Sequence, residues 1–105
     1  MSDINKLMTE YDRVASGLCL YARSEKVLPK QDADKVLDLI VQIKEAFSNV
    51  DSISRDYVWR LNYLFPNLLS EAEHCRDIEK KKALEDYAWN VQYHVSKVFE
   101  PVKRV

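Results

Sequence analysis

Apolar residues recur at steps of three and four along most of the chain, the spacing that aligns side chains on one face of an α-helix. The first run extends from Ser2, a residue type that caps helices, to about Ser24. A break at Pro29 separates it from a second run, which extends from about Asp32 to Ser48. The remaining positions in both runs are mostly polar, so the pattern predicts two amphipathic helices.

The second half of the chain predicts two more helices. The third begins after a cap at Asp51 or Ser52, and the polar segment RDIEKKK leads into a fourth that ends before Pro101. Pro66 lies inside the third helix and lacks a backbone N–H, which predicts a kink or break there. The apolar face of the third helix consists of Tyr57, Val58, Leu61, Leu64, Phe65, Leu68, Ala72 and Cys75.

Few residues are available for β-turns, because the 105 residues include one glycine and three prolines. Four amphipathic helices with short connections instead predict an all-α fold, a single-domain antiparallel bundle of four main helices over residues 1–105. Two residues from each helix are expected in its core: Val14, Leu18, Ile40, Phe47, Leu61, Leu68, Val91 and Val95.

Charge and composition exclude several functional classes. The 16 Lys and Arg residues nearly balance the 17 Asp and Glu residues, which argues against direct binding to nucleic acid or to a membrane surface. The sequence has no secretory signal, and its longest apolar cluster, VLDLIVQI, is too short to span a membrane. The two cysteines are far apart and have no CxxC spacing. We therefore expect a cytoplasmic protein without disulfides or a cofactor.

The segment EAEHCRD contains the strongest candidate for a metal site. Glu71 and His74 form an E-x-x-H pair, the motif that supplies ligands in carboxylate-bridged di-iron bundles. Such a centre needs a second pair of this kind, but the other histidine, His94, has Val91 three positions earlier. The ligand count therefore predicts no metal site.

Enzyme motifs are equally incomplete. Cys75 and His74 are sequence neighbours, so their side chains point about 100° apart on a helix and cannot form a nucleophile and base pair. The helical RNases called HEPN domains carry R-x(4–6)-H, but no arginine lies at that distance before either histidine. Phosphate-binding loops and zinc-protease motifs are also missing. We expect a non-enzymatic protein.

Two helices place a tryptophan and a tyrosine four residues apart on the side opposite the apolar face. Trp, Tyr and Arg dominate the energetics of protein interfaces, because they bury a large area with few rotatable bonds and keep a polar group. The alternative is that one or both pairs pack inside the fold. The predicted partner-binding residues on these helices are Trp59, Tyr63, Arg60, Arg55, Trp89 and Tyr93.

The second helix carries an acidic stripe formed by Asp34, Asp38 and Glu45 on the side away from its apolar face. Such stripes often serve only solubility. As a functional surface, the stripe would steer a basic partner protein during association.

Two functions remain compatible with these features. The first is a small inhibitor of the immunity or antitoxin type that binds and neutralises a partner protein, such as a basic nuclease toxin. The second is a homo-oligomeric structural or adaptor subunit, for instance a homodimer, in which the aromatic pairs form the self-interface. A helical-bundle enzyme or metal protein is a distant third.

The chain resembles small bacterial immunity proteins in size, helix content and acidic stripe. The nuclease-binding members of that group present two tyrosines followed by proline. The nearest segment here, LNYLFPN, has one tyrosine and a phenylalanine, so we infer no family membership.

Overall fold

The computed structural model describes residues 3–101, and every regular element in that range is an α-helix. In chain order these are α1 (Ile4–Glu25), α2 (Lys30–Ala46), α3 (Arg55–Asn62), α4 (Leu64–Glu73) and α5 (Ile78–Val98). Only Tyr63 separates α3 from α4, so the two form one bent helix. The prediction of an all-α fold with four main helices is confirmed.

The helices form a four-sided bundle. α1 packs against α2, α2 against α5, α5 against α4, and α4 against α1. Short connections make successive helices antiparallel, as predicted. This order places α2 and α4 at diagonally opposite corners of the bundle.

Helix starts differ from the predicted ones where a nearby side chain provides a better cap. Asp3 caps α1 by accepting a hydrogen bond from the Asn5 amide at 2.9 Å, and the predicted cap Ser2 lies outside the described residues. The predicted caps of the third helix were wrong, because Ser54 caps α3. Residues 51–53 first bring Ile53 against the core, which delays the start of that helix.

The bend in the third helix confirms the predicted break and places it at Tyr63. Pro66 is the third residue of α4. In the first turn of a helix a missing N–H costs nothing, because amides there have no partner within the helix. The chain therefore bends before the proline rather than at it.

All eight predicted core residues are buried in one cluster shared by the four main helices. Val58 is the exception on the predicted apolar face, since it is 37% exposed. Leu61 is the only buried residue of α3 within the described part of the chain. The α3 arm is thus anchored by few side chains, and most of its surface faces solvent.

Polar contacts hold α3 and α4 against α1. The Tyr11 hydroxyl is buried and donates to the Leu61 carbonyl at 3.3 Å. The ammonium of Lys26, at the left-handed end of α1 (φ 57°), bonds the Glu71 carboxylate at 3.0 Å. These contacts fix the bent helix next to its bend and near its carboxyl end, and they help to set the orientation of its exposed side.

Replacing Gly17 with alanine should stabilise the protein. Gly17 lies inside α1, and a Cβ atom built there meets nothing within 4 Å. Alanine lowers the conformational freedom of the unfolded chain, so the free energy of unfolding should rise by about 0.5–1 kcal/mol. Urea denaturation followed by circular dichroism measures this change. A loss of stability would show that the site is more crowded than the fold indicates.

Stability should fall in acid partly through Glu10. Arg13 and Lys35 donate hydrogen bonds that lower the pKa of the Glu10 carboxyl from 4.5 to about 2. A lowered folded-state pKa means that the ionised carboxylate stabilises the fold above pH 4.5, and that this contribution is lost as the pH falls towards 2. The melting temperatures of the wild type and Glu10→Gln should therefore differ at neutral pH and converge in acid. A difference that stays constant with pH would contradict this assignment.

Candidate protein-binding surface

Trp59 and Tyr63 form a stacked pair on the outside of the bent helix. Their ring centroids are 5.8 Å apart, the ring planes are inclined by 14°, and Trp59 is 70% exposed. The Tyr63 hydroxyl lies 3.3 Å from Ser16 Oγ on α1, and partial burial raises the pKa of Tyr63. Tyr63 is therefore a fixed support, and Trp59 presents the free aromatic face.

A shallow depression of about 520 Å³ opens beside this pair. The Asn62 and Asn67 side chains at its edge donate to the backbone carbonyls of Val58 and Tyr63, at 2.7 and 2.8 Å. These bonds hold the two amides in place on either side of the bend. The depression is lined by Arg55, Val58, Trp59, Asn62, Tyr63, Pro66 and Asn67.

Arg60 has a different position from the free anchor that the sequence suggested. Its Nε donates to Asp12 on α1 at 2.7 Å, and Nη1 donates to Asp56 at 3.0 Å. The hydrogen bond that Arg60 donates to Asp12 is the main cause of the raised pKa of Arg60. The guanidinium also lies 5.4 Å from the centre of the Tyr57 ring. Arg60 thus fixes α3 to α1, while the exposed Arg55 is the basic residue that lines the depression.

Trp89 and Tyr93 lie on the exposed side of α5, where they are 60% and 59% exposed. The Trp89 ring meets Phe65 of α4 edge-on, with centroids 4.8 Å apart. Lys97 places its ammonium 5.1 Å from the centre of the Tyr93 ring. The pair is therefore an exposed surface that also covers part of the α4–α5 contact.

The two aromatic pairs are joined through consecutive residues of α4. Pro66 lines the depression beside Trp59, and its neighbour Phe65 contacts Trp89. We call the resulting surface the aromatic band: Trp59, Tyr63, Phe65, Pro66, Trp89 and Tyr93.

The acidic stripe does not belong to this surface. Asp34, Asp38 and Glu45 are exposed on α2, at the corner of the bundle opposite α4. Lys30 donates to Asp34 and Gln42 donates to Asp38, both at 2.9 Å. Neighbours on the same helix thus partly satisfy two of the three carboxylates. The structure links the aromatic pairs through Phe65 and Pro66, and it places the acidic stripe on a different helix.

Side chains of the EAEHCRD segment form hydrogen bonds and a salt bridge within the fold. The Glu71 carboxylate pairs with Lys26, and the His74 Nδ1 lies 2.8 Å from the Ser70 carbonyl. The Cys75 thiol donates to the Asp77 carbonyl at 3.4 Å. Within residues 3–101, no group of three His, Cys, Asp or Glu side chains is arranged to hold a metal ion.

Sequence reasoning missed the part of the site around Asn62 and Pro66. The signal was present, because Arg55, Trp59, Asn62 and Pro66 follow the helical steps of four, three and four. Of that stripe, Arg55 and Trp59 were predicted from the sequence, but Asn62 and Pro66 were not. The contact between Phe65 and Trp89 joins separate helices, so the spacing within one helix cannot reveal it.

Comparisons of the chain with protein-family models, curated proteins and solved structures found no match. Among the described residues, no helix is both long enough and apolar enough to cross a membrane.

Proposed function

We propose that this chain binds a partner protein through the aromatic band and acts as its inhibitor, in the manner of an immunity protein or antitoxin. The observation that carries the proposal is the stacked Trp59 ring, which is 70% exposed although Tyr63 beneath it is held by α1. Rigid aromatic residues that lose little entropy on binding are the usual anchors of protein interfaces.

The shape of the band supports a protein partner rather than a small molecule. It extends over α3, α4 and α5, and its depression is open to solvent. Contiguous exposed apolar patches on soluble proteins often mark interaction sites. Arg55, at the edge of the depression, adds a cation that can pair with a carboxylate on the partner.

The inhibitory role is an extension of this binding role. The incomplete sets of catalytic and metal-binding residues favour a protein that acts by occupying a surface of its partner. A cytoplasmic location and a basic toxin or enzyme as partner belong to the same proposal.

Affinity capture from the native host tests this function. The wild type and the double variant Trp59→Ala/Trp89→Ala serve as baits, and the partner is the protein retained only by the wild type. Adding the purified wild-type chain to that partner should abolish the partner's activity, and the double variant should not. A partner that is captured equally by both baits, or whose activity is unchanged, would contradict the proposal.

A homo-oligomeric subunit is the second candidate, because an exposed apolar band also fits a second copy of the chain. Sedimentation velocity over a range of protein concentrations separates the two candidates. Inhibition of a partner predicts that the free chain is monomeric. A homodimer that dissociates in the double variant would assign the band to self-association instead.

A further inference from the structure

A second concave surface lies where α1 ends and where α2 and α5 begin. It is a groove of about 450 Å³ between the α1–α2 connection and the first half of α5. This volume falls within the range of about 300–1,000 Å³ that is typical of small-molecule sites. The groove lies outside the aromatic band, and its role is independent of the function proposed above.

The floor of the groove is apolar. It is formed mainly by Leu28 and Tyr87, with the buried Leu84 contributing little exposed surface and Val27 at the edge. The Tyr87 hydroxyl donates to the Ala33 carbonyl at 2.7 Å, so the tyrosine presents its ring to the groove while its polar atom is satisfied within the fold. A ligand on this floor meets carbon atoms and needs no hydrogen bonds along its length.

The edge of the groove carries lysine and glutamate side chains. Its charged lining residues are Lys26, Lys30, Lys80 and Glu79. Lys26 is paired with Glu71 in a partly buried salt bridge, and Lys30 forms an exposed salt bridge with Asp34. Within residues 3–101, the ammonium of Lys80 forms no salt bridge.

We propose that this groove binds a long-chain carboxylate, with the alkyl chain on Leu28 and Tyr87 and the carboxylate at Lys80. The apolar floor matches the chain, and the ammonium of Lys80, which forms no salt bridge within residues 3–101, matches a single negative charge. A peptide fits less well, because its backbone amides would lie on a floor whose side chains offer no free polar partner.

Titration with decanoate below its micelle concentration tests the site in the full-length chain. Amide chemical shifts in a ¹⁵N-labelled sample should move at Leu28, Ala83, Leu84 and Tyr87. Lys80→Gln should weaken binding by about tenfold, because it removes a charged hydrogen-bond donor. The neighbouring Lys82→Gln, which does not line the groove, is the matched control and should leave the affinity unchanged.

Two further arms test the apolar floor and the sign of the charge. Ala83 is exposed and lines the groove, so Ala83→Trp should fill the groove and abolish binding without disturbing the core. Decyltrimethylammonium, which has the same chain length and the opposite charge, should not bind. The proposal is overturned if the ammonium compound binds as well as decanoate, or if Lys80→Gln leaves the affinity for decanoate unchanged. It is also overturned if an acidic amphipathic peptide occupies the groove and decanoate does not.

Discussion

Replacing Leu68 with alanine should lower the free energy of unfolding by about 2–5 kcal/mol. Leu68 is fully buried on α4, the helix that joins α1 and α5. Truncation removes buried apolar surface and leaves a cavity that the surrounding helices fill only in part. Since domains of this size have total stabilities of about 5–15 kcal/mol, the variant should lose a large share of its stability. Chemical denaturation at 25 °C measures the effect.

The chain provides a matched control on α1. Leu20 is 65% exposed, so Leu20→Ala makes the same chemical change outside the core and should alter stability by less than about 0.5 kcal/mol. Equal losses for the two variants would mean that Leu20 is covered in solution, for example by a second copy of the chain. That result would favour the homo-oligomeric candidate.

Helical periodicity predicted the core because most apolar contacts repeat along single helices. Residues such as Val91 and Val95 are four apart on α5, and one buried stripe accounts for both. Val58 belongs to the predicted apolar face but is exposed, because burial also requires a neighbouring helix opposite that face. α3 is a short arm beyond the bend, and the neighbouring helices do not cover its whole apolar face.

The helix boundaries could be predicted less accurately from the sequence than the core. Ser54 competes with Asp51 and Ser52 as a cap, and all three residue types are suitable. The choice depends on where Ile53 packs against the core, which is a contact between distant parts of the chain. In the same way, Pro66 predicts that a bend occurs nearby, but the bend at Tyr63 follows from how α4 begins its first turn.

In the candidate site, the local sequence pattern likewise predicts some features, whereas others depend on contacts between residues that are far apart in the sequence. The exposure of Trp59 and Trp89 follows from their positions on a helical wheel. The support of Tyr63 by Ser16 and the pairing of Arg60 with Asp12 join residues that are 47 and 48 positions apart. The spacing of residues along a single helix cannot predict contacts of this kind. They show that Arg60 positions α3, and its role in partner binding stays a prediction.

The separation of the acidic stripe from the aromatic band also has a functional consequence. The bundle measures 26 and 22 Å across its two shorter axes. Exposed charges are screened over about 8 Å at physiological ionic strength. A partner centred on Trp59 would therefore experience little of the field from Asp38. If the stripe has a binding role, that role belongs to a different contact.

Replacing Trp59 with alanine should raise the dissociation rate of the captured partner by about tenfold or more, which corresponds to at least about 1.4 kcal/mol. The variant loses the exposed indole and keeps the support beneath it, because Tyr63 remains bonded to Ser16. Stability should fall by less than about 1 kcal/mol, since Trp59 makes one aromatic contact within the fold. Surface plasmon resonance gives the rates, and thermal melting checks the fold.

Two comparison variants make this result specific to the aromatic band. Trp89→Ala should weaken binding and also lower the melting temperature more than Trp59→Ala does, because Trp89 packs against Phe65 across the α4–α5 contact. Asp38→Asn, on α2 at the corner opposite α4, should change neither rate by more than about twofold, because salt screens its charge from a partner centred on Trp59. If Trp59→Ala leaves both rates unchanged while Asp38→Asn slows association, then the partner docks on α2. The exposed tryptophans would in that case require another explanation, and self-association would be the next to test.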